Sequence, residues 1–101
     1  MITTTVSFRV TTGKNAEALE YLQSVARQAK KLSGTDLRIL TQVGGPIGHF
    51  VLVSAYDSLA AYEEARTKLT SDPTFLKLQV QAGELNLFIP GSIESAIYQQ
   101  V

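Results

Sequence analysis

Few residues in this chain could do chemistry, and the first of them stands alone. His49 is the single histidine, the side-chain type whose ordinary titration falls near neutral pH. It is the candidate catalytic residue, a general base that could act on a phenol or a carbon acid. The plainer reading is a strand-start side chain beside a glycine-rich loop, bonded to water or backbone. Asp57 shares its strand parity but lies eight residues along. At strand rise that is about 26 Å, so the two form no acid–base dyad on an unbroken strand. Arg9 and Arg38 fall on the more polar faces of strands, where either could pin a carboxylate or an enolate through two parallel hydrogen bonds. Each could equally reach water near a strand end. Tyr56, Tyr62 and Tyr98 could bring phenols to a cavity under the helices, as substrate-binding residues beside Arg9 and Arg38. Aromatic side chains with one polar tip are also ordinary core residues. Tyr21 lies at the edge of the first helix, and the row Thr3, Thr5, Ser7 needs partners for its hydroxyls.

Composition removes many other chemistries. The chain has 101 residues and no cysteine, which excludes disulfides, iron–sulfur sites, zinc fingers and a thiol nucleophile. One histidine argues against a transition-metal site, and no cofactor or metal is expected. Nine basic and nine acidic side chains cancel, where a protein built on phosphate contacts carries a basic surplus; nucleic acid is therefore not an expected partner. Gly44-Gly45-Pro46-Ile47-Gly48 matches neither the dinucleotide fingerprint nor the P-loop, and it joins two strands instead of opening a helix. Met1 to Val6 lack the basic and apolar regions of a signal peptide. No apolar run approaches the roughly 20 residues of a membrane span. The expectation is a cytoplasmic protein with no membrane partner.

The elements that position these residues follow from periodicity. Ile2, Thr4, Val6, Phe8 and Val10 alternate with Thr3, Thr5, Ser7, Arg9 and Thr11, which predicts a strand with one apolar face. Thr12 or Asn15 can cap a helix over Lys14–Leu32. Its stripe is Ala18, Leu19, Leu22, Val25, Ala26, Ala29 and Leu32, and Gly34 closes it. Two strands, Leu37–Val43 and His49–Tyr56, flank the glycine-rich turn. Asp57-Ser58 start a second helix, Leu59 to about Leu69, with Leu59, Tyr62, Arg66 and Leu69 along one side. Asp72-Pro73 start a further helical piece over Thr74–Ala82. The stretch 83–91 has no clear pattern, and a last strand covers Ile93–Tyr98. The order β-α-β-β-α-(α)-β is the α+β, ferredoxin-like βαββαβ plan. It has a four-stranded antiparallel sheet with helices on one face, in a single domain over residues 1–101.

That plan leaves a sheet face open. The third strand is apolar on both sides, His49, Val51, Val53 and Ala55 against Phe50, Leu52, Ser54 and Tyr56, and large exposed apolar patches are rare on monomers. A second copy of the chain is the expected cover, sheet against sheet in a homodimer. Leu52 is expected on that interface.

The segment Tyr56-Asp57-Ser58-Leu59-Ala60-Ala61-Tyr62-Glu63-Glu64-Ala65, followed by Asp72-Pro73-Thr74-Phe75, resembles the dimeric α/β-barrel superfamily. Within it the chain is most similar to NIPSNAP-like members. The resemblance implies a homodimeric α/β barrel. The superfamily holds cofactor-free monooxygenases of polyketide-like aromatics, small isomerases, haem-dependent enzymes and ligand-sensing domains. This chain lacks the tryptophan often met in the monooxygenase pockets, and haem would need a histidine ligand and a longer chain. Fold alone does not settle function. The first expectation is a homodimer that binds an apolar or aromatic small molecule between helices and sheet. The alternative is a cofactor-independent monooxygenase or isomerase of the antibiotic-biosynthesis-monooxygenase type. In that reading His49 or an arginine steers an enolate-like intermediate. A further alternative is a non-catalytic dimerisation module.

Overall fold

The computed structural model describes residues 1–45 and 47–101, so Pro46 of the glycine-rich turn lies outside the described residues. The alternating first segment forms β1 (Ile2–Arg9). Its even-numbered side chains pack inward, with Phe8 and, just beyond the strand, Val10 in the main core cluster. Next come α1 (Asn15–Ser33), β2 (Arg38–Thr41) and β3 (His49–Tyr56). The chain closes with α2 (Leu59–Thr70), α3 (Pro73–Glu84) and β4 (Glu94–Gln99). The sheet order is β2-β3-β1-β4, and every neighbouring pair is antiparallel. This is the ferredoxin-like α+β fold, carrying three helices.

Local chemistry explains most boundaries. Ser58 accepts a hydrogen bond from the Ala61 N–H at 3.1 Å, and Asp72 accepts one from Phe75 N–H at 2.9 Å. Each thereby satisfies an orphan donor of a first helical turn. Gly34 ends α1 in the left-handed conformation, φ 73°, which only glycine enters without a Cβ penalty. The start of α1 differs from expectation. Neither Thr12 nor Asn15 caps it: the N-cap is Lys14, without a side-chain bond, because Asn15 is already inside the first turn. β2 is shorter than its apolar run, since pairing with β3 stops at Thr41 opposite Phe50.

Register decides which face each strand residue occupies. Val6 lies opposite Leu52, Thr4 opposite Ser54, and Phe8 opposite Phe50. Leu52 therefore points under the helices with Val6 and packs against the core cluster, which corrects its placement on the outer face. The open face carries Thr3, Thr5, Ser7 and Arg9 of β1, His49, Val51, Val53 and Ala55 of β3, Arg38 and Leu40 of β2, and Glu94, Ala96 and Tyr98 of β4.

The tight core fills one end of the helix-covered layer, where Phe8, Val10, Ala18, Leu22 and Phe50 meet. Phe88, from the stretch without a clear pattern, bridges to Val10 and packs its ring against Phe8, tilted by 59° with centroids 4.6 Å apart. Leu87 beside it is fully buried. At the other end the helices do not close over β4. Ile97 shares the inner face with Thr4, yet it is 52% exposed. This gap between helices and sheet creates the site.

Candidate functional site

A cavity of about 990 Å³ lies between the helices and the sheet. Thr4, Val6 and Phe8 of β1 and Leu52, Ser54 and Tyr56 of β3 form its floor. Tyr21, Leu22 and Val25 of α1, Tyr62, Arg66 and Leu69 of α2, and Phe75, Gln79 and Ala82 of α3 form the wall. Ile93 and Ile97 rim the open side.

Polar groups are sparse and placed. Thr4 Oγ1 and Ser54 Oγ share a hydrogen bond of 2.6 Å, and the two residues are only 8% and 4% exposed. One hydroxyl donates and the other accepts, so each oxygen on the polar spot of the floor has a hydrogen-bond partner. Tyr56 and Tyr62 meet edge to face at 5.3 Å between ring centroids, a favoured aromatic geometry. Tyr21 packs against Phe88 at 5.7 Å. Burial pushes its phenol above the ordinary value of 10.0, because the low-dielectric site disfavours the phenolate. At neutral pH Tyr21 is thus a proton-bearing donor and no base. Among the described residues no cluster of His, Cys, Asp and Glu could hold a metal ion.

Of the candidate catalytic and substrate-binding residues His49, Arg9, Arg38, Tyr56, Tyr62 and Tyr98, two line this cavity, Tyr56 and Tyr62. Tyr98, expected under the helices, lies opposite Thr3 on the outer face and is 58% exposed. The parity of β4 puts Ile97 inward in its place. His49 is opposite Arg9 on the same outer face. Its Nδ1 is 2.7 Å from Gln42 Oε1, a tether across the turn between β2 and β3. Neither residue touches the cavity lining. Arg38 lines a separate polar hollow of about 600 Å³ at the sheet end, together with Asp36, Asp57, Glu64 and Lys68.

Sequence reasoning missed Thr4, Ser54 and Arg66. A signal for each was present as a fault in an apolar stripe. Thr4 interrupts Ile2, Val6 and Phe8; Ser54 interrupts Phe50, Leu52 and Tyr56; Arg66 interrupts Tyr62 and Leu69. Only the Thr4–Ser54 register makes the first two a pair.

The NIPSNAP family model matches residues 4–98, nearly the whole chain. The chain belongs to the NIPSNAP family. Among solved structures, a NIPSNAP family protein of unknown function from Agrobacterium tumefaciens superposes with a TM-score of 0.81 at 22% identity, covering 100% of this chain and 88% of that one. A NIPSNAP domain protein from Burkholderia xenovorans gives 0.81 at 22% identity, covering 100% of this chain and 95% of its own. A candidate antibiotic biosynthesis monooxygenase from Nitrosomonas europaea gives 0.74 at 20% identity, with coverages of 100% and 99%. At these identities the likeness speaks for the shared fold. No curated protein matches the chain.

Proposed function

We propose that this NIPSNAP-family chain binds an apolar or aromatic small molecule in the cavity between helices and sheet, and that it does so as a homodimer joined through the open sheet face. The cavity carries the first part. Its roughly 990 Å³ is at the upper end of the ~300–1,000 Å³ usual for small-molecule pockets, and its walls are mainly aliphatic and aromatic, with a few placed hydroxyls. The second part is supported by the open face. Val51 and Val53 lie opposite Ser7 and Thr5 on the face turned away from Val6, Phe8 and the core cluster, a surface that a second identical sheet would cover. The proposal keeps the protein in the cytoplasm on the sequence grounds above; no helix among the described residues is long and apolar enough to cross a membrane.

The test is native mass spectrometry of protein purified from cells, followed by denaturing conditions. The expected species is a dimer with a defined extra mass, lost in Ala82→Phe, which fills the cavity while keeping the dimer. Val53→Glu on the open face should give folded monomers. Empty protein that also takes up no added apolar probe would overturn the binding reading, and a folded dimer in Val53→Glu would overturn the interface.

A catalytic reading is favoured by one observation. Structures similar in fold are candidate antibiotic biosynthesis monooxygenases. Here such chemistry would fall to cavity groups, because His49 lies across the sheet. Oxygen uptake with a polycyclic phenol, abolished by Ala82→Phe and retained in His49→Ala, is the result that reading requires.

A further inference from the structure

We infer that the cavity's ligand carries a single carboxylate on an apolar body, and that Arg66 at the α2 wall holds it. The inference rests on the cavity being a binding site. Among the described residues that line it, Arg66 is the one charged side chain, with no Asp or Glu beside it in the lining. Two ion pairs are formed among the described residues, Lys30 with Asp36 at 2.9 Å and Lys68 with Glu64 at 3.5 Å, and both lie outside the cavity lining. Arg66 forms no such pair within 4 Å among the described residues.

Its position adds to this. Tyr62, Arg66 and Leu69 line the cavity together, at the four- and three-residue spacings of one helix face. An arginine in that stripe contributes little to packing that an apolar residue would not supply better. It does bring a planar fork of donors, which matches a carboxylate bidentately. Gln79 and Tyr62 on the same wall offer further uncharged donors. Arg66 is itself exposed, which puts its charge at the cavity mouth. The carboxylate would then stay near water while the apolar body reaches inward over Val6 and Leu52.

Four probes in matched pairs test this: octanoate with 1-octanol, and 2-naphthoate with 2-naphthalenemethanol. Binding is followed by isothermal titration calorimetry, which the absorbance and emission of the naphthyl probes do not disturb. The acid of each pair should bind about tenfold more tightly than its alcohol, a preference that shrinks with added salt. Arg66→Gln should erase the preference while leaving alcohol affinity within about twofold and the circular dichroism spectrum unchanged. Equal binding of acid and alcohol, or a preference that survives Arg66→Gln, overturns the carboxylate assignment and leaves the cavity reading standing. Failure of all four probes in the unmutated protein fails the cavity reading itself, and the assignment with it.

Discussion

Replacing Thr4 by valine keeps the shape of the side chain and removes only its hydroxyl. The Ser54 hydroxyl, 2.6 Å away and in a residue only 4% exposed, then loses its partner. An unsatisfied buried hydroxyl costs about 1–3 kcal/mol, which in a domain of this size lowers Tm by roughly 5–20 °C. Ser54→Ala leaves Thr4 in the same position at a similar cost. The double variant Thr4→Val/Ser54→Ala removes both groups and should recover most of the loss, since an apolar pair needs no partner. Urea unfolding followed by far-ultraviolet circular dichroism measures all four corners of the cycle, with the slopes checking that unfolding stays two-state. The expected coupling exceeds about 1 kcal/mol. Additive single effects would refute the reasoning. They would mean that each hydroxyl already satisfies itself elsewhere, with cavity water as the evident partner.

Three further expectations follow from other parts of the molecule. Leu22 is 1% exposed, packed in the main core cluster, so Leu22→Ala should cost about 2–5 kcal/mol in the same urea experiment. Tyr21 has its phenol pushed above 10.0 by burial. The unfolded chain therefore ionises it first, and its stabilising contribution is complete below that pH and is lost as pH rises through the folded value. A phenolate absorbance titration should show one late step that Tyr21→Phe removes, and a Tyr21→Phe titration still showing that step would contradict the assignment. His49→Ala should leave probe affinity unchanged, because the side chain is tied to Gln42 on the far side of the sheet; weakened binding would put His49 back in the site.

What was legible in the sequence depended on how local the determinant is. The alternation of β1, the full span of β3, the caps at Ser58 and Asp72 and the glycine stop at Gly34 are all set by neighbours a few residues apart, and each appears where the pattern puts it. Facing is different. A strand that is apolar on both sides has no internal mark of which side meets the helices, and a slip of one residue exchanges them. The pattern alone thus allows Leu52 on the outer face, while its pairing with Val6 turns it inward. The same ambiguity hid the site. His49, Arg9 and Arg38 stood out by residue type, but register puts all three on the open face. Thr4 and Ser54, fifty residues apart, become a pair only through that register. Phe88 and Leu87 came from a stretch with no periodicity, because their burial depends on Val10 and α1 and not on a repeat of their own.

The central claim is that the helix-side cavity, and not the open sheet face, receives an apolar molecule. Amide chemical-shift mapping of the isotope-labelled protein during titration with 2-naphthoate tests it most directly. The account predicts saturable shifts at Thr4, Ser54, Tyr62, Phe75, Ala82 and Ile97, with Arg9, His49 and Val51 unmoved. Shifts clustered at Arg9, His49 and Val51, with the cavity residues silent, would contradict it.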